Sequence, residues 1–224
     1  MSCTRRAVLA ATALAPGLAH AQGLPTPPAW MREHPAFAAW DAPNRPADRL
    51  LSTYVEPDPG ARRVTVRDWL GGRPTVLAVW ATWCAPCLVE KQPEAWLSTQ
   101  LETLGSRAQI KALLAYDRVR LAEARQRLDE LGASALNSAR ASDSAEQSLL
   151  WIFGFDRDRR SMHRTETVYA QLRTALPFTL LLDADGGLLG RMTGAISDGR
   201  GRSYWRQTST LDLMRRLGEA APGA

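Results

Sequence analysis

Between residues 62 and 219 the hydrophobic positions recur with two periods, and the change from one to the other marks out the elements. "RRVTV" (62–66) suits an edge strand, and "RDWLGGRP" after it suits a short helical turn stopped by glycine. "TVLAVWA" (75–81) is a continuous apolar and β-branched run, as expected of a strand covered on both faces. From Ala85 the spacing becomes helical and stops at Gly105. "IKALLAYD" (110–117) predicts a second buried strand. In "RLAEARQRLDELG" the residues Leu121, Ala124, Leu128 and Leu131 share one face and Gly132 is the stop, which predicts an amphipathic helix.

Residues 133–155 leave two readings open. Asp143 and Glu146 have capping-box spacing, which argues for a helix through Phe153. The apolar run "LLWIFGF" (149–155) suits a short strand equally well. "TETVYAQLRTA" (165–175) reads as helical, with Val168 and Leu172 facing inward. "PFTLLLDADGGLLGRMTG" (177–194) reads as two strands around an Asp185-Gly186-Gly187 turn, and "TSTLDLMRRLGEA" as a closing amphipathic helix. The order predicts an α/β fold: a central mixed sheet with helices on both faces, in one domain over 61–221.

Residues 22–60 behave differently. Pro25, Pro27, Pro28, Pro35, Pro43, Pro46, Pro57 and Pro59 fall there, and such a stretch sustains neither a long helix nor a central strand. It reads as an extended N-terminal arm with at most a short helix near 47–54. Trp30, Phe37, Trp40 and Tyr54 argue against full disorder and are expected to pin the arm to the domain; a docking role for a partner is the alternative.

The chain has 224 residues and is 45% hydrophobic, enough for one sizeable core. Its net charge of +5 is carried almost wholly by arginine, and the densest patch, "DRDRR" (156–160), brings its own acids. Nucleic-acid binding needs a dense basic stripe, so no nucleic-acid partner is expected.

The first 21 residues predict a cleaved export signal. Arg5 and Arg6 precede an apolar run, and "AHA" (19–21) supplies the small residues of a cleavage site. Pro16 and Gly17 leave the run short of the roughly 20 apolar residues that span a bilayer. "TRRAVLA" resembles a twin-arginine signal, with an ordinary secretory signal as the alternative. A periplasmic location follows. Cleavage after Ala21 removes Cys3 and leaves Cys84 and Cys87.

A cysteine pair at this spacing can be a redox couple, half of a metal site or a staple. A structural zinc site wants four ligands, and only His34 and His163 could join, neither with ligand-like spacing. A staple across so short a loop constrains the unfolded chain weakly. The redox couple is the economical reading. Cys84 falls at the junction of a buried strand and a helix, where unpaired N–H groups and the macrodipole favour a thiolate. Cys87 comes round beneath it, close enough for a disulfide. Pro86, lacking an N–H, suits the first helical turn beside Ala85, and Trp83 can shelter the pair while leaving the Cys84 sulfur exposed. Cys84 is the expected nucleophile and Cys87 the resolving thiol.

"WCAPC" after an apolar strand, with "LPFTLLLDADGGLLGRMTG" some ninety residues later, resembles the thioredoxin superfamily, and more narrowly its exported TlpA/ResA branch. The resemblance covers about 62–217 and leaves the arm outside. It implies a cis proline facing the disulfide at Pro177, whose neighbour Leu176 offers backbone to an extended substrate. It also implies a proton-relaying acid at Glu90. The chain departs from the pattern in three places. Ala78 stands where thioredoxin has a buried aspartate, Pro93 comes one residue late, and Leu176 is bulky enough to narrow the substrate groove.

The resemblance implies a thiol–disulfide oxidoreductase, in the reductase direction, recycled by a membrane-embedded electron donor. Its expected substrate is a protein disulfide, such as an apocytochrome c in cytochrome c maturation or a metallochaperone, and no cofactor is expected. The alternative is a periplasmic copper-handling protein using both thiolates as soft ligands. Peroxide reduction lacks an upstream Thr/Cys pattern, and "GGRP" (71–74) has no P-loop lysine.

Overall fold

The computed structural model describes residues 24–155, 175–195 and 203–220. The export signal, the "DRDRR" patch, His163 and all but Ala175 of the helix predicted over 165–175 lie outside the described residues.

Seven strands form one mixed sheet: β1 (Tyr54–Glu56), β2 (Val64–Thr65), β3 (Thr75–Trp80), β4 (Gln109–Leu114), β5 (Asn137–Ala141), β6 (Phe178–Leu182) and β7 (Leu188–Thr193). Their spatial order is β2-β1-β5-β4-β3-β6-β7. Every residue of β3 is buried, because it pairs in parallel with β4 and antiparallel with β6 while side chains cover both faces. The predicted edge strand at 62–66 shrinks to two residues. Thr65 instead caps the next helix, its hydroxyl accepting from Asp68 N at 3.0 Å.

Seven helices are described: α1 (Ala29–Arg32), α2 (Asp48–Leu51), α3 (Val66–Leu70), α4 (Ala85–Thr103), α5 (Leu121–Glu130), α6 (Asp143–Phe153) and α7 (Thr208–Glu219). α4 packs on β4 and against α7, whereas α6 packs on β1, β5 and α2. α5 buries Leu121, Ala124 and Leu128 as its spacing predicts. α3 and α6 each end on a left-handed glycine, Gly71 at φ 67° and Gly154 at φ 81°, a conformation glycine adopts without steric cost.

The ambiguity over 143–153 resolves as helix. Its cap is Ser142, whose hydroxyl accepts from Ala145 N at 3.3 Å, one position earlier than the capping-box spacing indicates. β5, "NSARA", has no strand-like pattern of its own. Parallel pairing with β4 and antiparallel pairing with β1 make it one.

The proline-rich segment is more regular than an extended arm. It holds α1, a 3-10 turn (Pro35–Ala39), α2 and β1, and β1 lies between β2 and β5 in the sheet. Met31, Leu50, Leu51 and Val55 belong to the same hydrophobic cluster as β3. Asp41 pairs with Arg191, so the segment also covers the outer edge of β7. Trp40 is buried and Trp30 and Phe37 pack on the core, as expected of pins. Tyr54 differs: its ring is exposed, and its backbone rather than its side chain ties it to the sheet.

Candidate active site at the Cys84–Cys87 disulfide

β3 runs out at Trp80, and residues 81–84 turn the chain into α4. Cys84 N donates to Ala81 O at 3.1 Å, and Cys84 is the N-cap residue of α4. Its sulfur accepts from Cys87 N at 3.2 Å, taking one of the N–H groups left unpaired at a helix start. Ala85 and Pro86 are the first two helical residues, both exposed. Cys84 and Cys87 form a disulfide with Cα atoms 5.2 Å apart.

The sulfurs are less open than the helix-tip position predicts. Cys84 is 3% exposed and Cys87 0%. The reason is the capping geometry: the Cys84 side chain folds back over the first turn, where its sulfur both accepts from Cys87 N and bonds to the Cys87 sulfur. Trp83, 39% exposed, is a large apolar side chain that remains at the surface next to Cys84 in the chain.

Pro177 immediately precedes Phe178, which pairs with Val79 near the end of β3, so the proline lies at the same end of the sheet as the disulfide. The Leu176–Pro177 bond is cis. The Pro177 carbonyl accepts from Gly194 N at 2.8 Å, joining it to the end of β7. The Leu176 side chain is packed in the core cluster, not along a groove.

Glu90 is 3% exposed, one turn beyond Cys87 on α4. Pro93 lies inside α4, which runs on to Thr103.

Several residues that sequence reasoning passed over hold this corner. Asp117 Oδ2 accepts from Thr82 N at 2.6 Å and from the Thr82 hydroxyl at 2.7 Å. The Trp83 indole N–H donates to Tyr116 O at 3.0 Å. Tyr116 has φ 57°, unusual for a residue with a large side chain. It is held there from α6: its N–H donates to Glu146 Oε1 at 2.5 Å and its hydroxyl to Glu146 O at 2.7 Å. Its ring meets Phe178 edge to face at 6.5 Å. Burial raises the Glu146 carboxyl above its usual range, against the pull of the Tyr116 amide. The signal for this bracket was present in "LLAYD": a carboxylate just past the end of a buried strand, level with the strand carrying the cysteines. Among the described residues no group of three or more His, Cys, Asp or Glu side chains could hold a metal ion.

The mixed sheet, the cystine at the β3–α4 junction and the cis proline opening the β6–β7 hairpin define a thioredoxin-like fold. Solved structures similar to it include a secreted thiol-disulfide isomerase from Corynebacterium glutamicum (16% identity, 71% of this chain and 78% of that chain, TM-score 0.45). Others are a thiol:disulfide interchange protein from a Bacteroides species (12% identity, 83% and 95%, TM-score 0.49) and the pneumococcal exposed lipoprotein thioredoxin of Streptococcus pneumoniae (14% identity, 75% and 98%, TM-score 0.45). No protein-family model and no curated protein matches the chain.

Proposed function

We propose that this protein is an exported thiol–disulfide oxidoreductase that reduces protein disulfides through Cys84 and Cys87. The observation that carries the reading is a disulfide whose first sulfur caps α4, at the sheet end that also bears the cis proline.

In the reduced protein the Cys84 thiolate attacks one sulfur of a substrate disulfide. A Cys84–substrate bond forms, the substrate S–S bond breaks, and the departing thiolate takes a proton. Cys87 then gives its proton to a nearby carboxylate, with Glu90 in that role, and attacks the Cys84 sulfur. The Cys84–Cys87 bond forms and the second substrate sulfur leaves as a thiolate, which takes the proton held by Glu90. The substrate gains two electrons and two protons: the protein gives both electrons and the Cys87 proton, and solvent gives the other, which balances the proton that Cys84 released on ionising. Pro177 and the Leu176 backbone line the approach.

The reductase direction, a membrane-embedded donor that returns the electrons, and an apocytochrome c or metallochaperone substrate follow from the sequence resemblance. Export follows from residues 1–21. No described helix is long and apolar enough to cross a membrane.

Insulin-disulfide reduction coupled to a dithiol tests the reading. Turnover by the wild type and its loss in Cys84→Ser support it; equal rates for both reject it. A Cys84–Cys87 potential near about −270 mV, the thioredoxin range, supports the reductase direction, and one near about −120 mV reverses it.

A further inference from the structure

α4 carries a charge pair that the exchange steps above leave unused. Lys91 and Glu94 are both 0% exposed, and the Lys91 ammonium lies 2.5 Å from Glu94 Oε2. The ion pairs His34–Asp212, Arg120–Glu123, Arg125–Asp58, Arg127–Glu130, Arg215–Asp212 and Arg215–Glu219 each keep at least one partner in solvent. Taking two ions out of water is expensive, and apolar side chains of similar volume generally serve a core at least as well. This pair is also incompletely satisfied, because Glu94 Oε1 is buried without a hydrogen-bond partner. Stability is therefore a poor reason for its presence.

Its position supplies a better one. Lys91 follows Cys87 by four residues, which makes the two neighbours on one helix face, and Glu94 comes three residues later on that face. The Lys91 ammonium also stands 5.7 Å from the ring centre of Trp80, the last residue of β3 before the turn to Cys84. The cation is thus lodged between the two elements that bear the cystine, away from water, where charges are felt strongly. The disulfide has no charge for it to act on. The reduced protein does, because Cys87 must become a buried thiolate before it can attack.

We propose that Lys91 and Glu94 act as a buried charge lever on Cys87: the ammonium favours the Cys87 thiolate and the carboxylate opposes it. Both are positioning residues, acting through Cys87. The step they govern is Cys87–SH losing its proton to a base, with no change in electrons. The inference rests on the oxidoreductase reading only in taking Cys87 as a thiol that must ionise.

Apart from Glu90, the base assigned to Cys87 above, the other charged groups named around α4 are engaged elsewhere. Glu90 lies beside Lys91 on the same helix, and β3 contributes no charged side chain. From β4, the Lys111 ammonium donates to Trp69 O. In the 3-10 turn Tyr204–Arg206, Arg206 reaches Gln92. On α7, Asp212 contacts His34 and Arg215, Arg215 also contacts Glu219, and Arg216 lies over Trp30. Burial raises the Glu94 carboxyl above its usual range, although Lys91 pulls the other way, which weakens the anion's opposition to the cation.

The test is a titration of the fully reduced, full-length protein labelled with carbon-13 cysteine, in which Cys87 is followed separately by NMR. Lys91→Met is expected to raise the apparent pKa of Cys87 by about one unit, a tenfold loss of thiolate below it. Glu94→Gln is expected to lower it, by about half a unit or more. Lys91→Arg is expected to restore the wild-type value. Should Lys91→Met not fold, Lys91→Met/Glu94→Leu removes both charges of the pair, and its Cys87 is expected to titrate about one unit above that of Glu94→Gln. Opposite shifts in the two single variants, or that gap in their place, support the lever. Shifts of the same sign, or none, overturn it, as does failure of Lys91→Arg to restore the value. Absence of disulfide turnover in the wild type would instead count against the oxidoreductase reading and would leave these shifts as they are.

Discussion

The two ends of the molecule are held in different ways. At the carboxyl ends of β3 and β4 the chain is fixed by directed polar bonds: Thr82 to Asp117, the Trp83 indole to Tyr116 O, and Tyr116 to Glu146. Along β7 and α7 the arm is fixed by rings. Trp40 meets Trp205 edge to face at 6.4 Å, and Arg216 stacks over Trp30 at 4.7 Å. Trp40 also lies so close to Gly190 that a Cβ there would come within 3.0 Å of the Trp40 Cβ. Buried rings add to the backbone pairing that holds the arm, and side-chain bonds of fixed direction hold the redox corner. A corner that must seat a partner and change the charge on two sulfurs gains from bonds that fix direction while burying little. An arm packed on the domain gains from buried area.

That contrast can be broken from either side. The largest stability effect is expected at the arm, where Trp40→Ala should cost about 3–5 kcal/mol in chemical denaturation. The protein that remains folded should reduce disulfides at the wild-type rate. Next comes the corner: Asp117→Ala strips the acceptor from both Thr82 donors and should cost about 1–3 kcal/mol. Its turnover should fall further than that loss of stability explains, because the turn into Cys84 is no longer held. Equal stability losses from the two substitutions, or unchanged turnover in Asp117→Ala, would erase the distinction.

The smallest effect lies at the opposite end of the sheet. Burial, with Arg73 nearby, lowers Lys111 to about 8. Between that value and about 10.4 the unfolded chain binds a proton that the folded chain does not. Stability should therefore rise with pH across that window, and Lys111→Met should flatten the rise. A thermal-unfolding series over that range reads it directly.

Much of this architecture was legible in the pattern of residues. β3 announces itself because a strand covered on both faces has no polar position, and α5 and the β6–β7 hairpin have clear glycine stops or turns. β1 and β5 were hidden for the same physical reason. "YVE" and "NSARA" are too short or too polar to carry a period, and they become strands only because neighbours offer hydrogen bonds. At the site, the cysteine spacing was enough to pair Cys84 with Cys87, and the resemblance singled out Pro177 as the cis residue. Of the bracket, only Asp117 left a signal, in "LLAYD"; the tie from Tyr116 to Glu146 was not legible, since it joins segments thirty residues apart. Lys91 and Glu94 look in sequence like solvated helix charges. Only the packing of α4 on the sheet shows them buried. Cys84 is less open than its place in the sequence suggests because an N-cap side chain can turn inward onto its own helix.

The central claim is that Cys84 attacks and Cys87 resolves. The direct measurement is to mix reduced Cys87→Ser protein with a disulfide-bonded peptide and map any covalent adduct by mass spectrometry. The account predicts a stable mixed disulfide on Cys84, and none in Cys84→Ser. An adduct that forms on Cys87 when Cys84 is absent, or no adduct on Cys84 in the first variant, would contradict it.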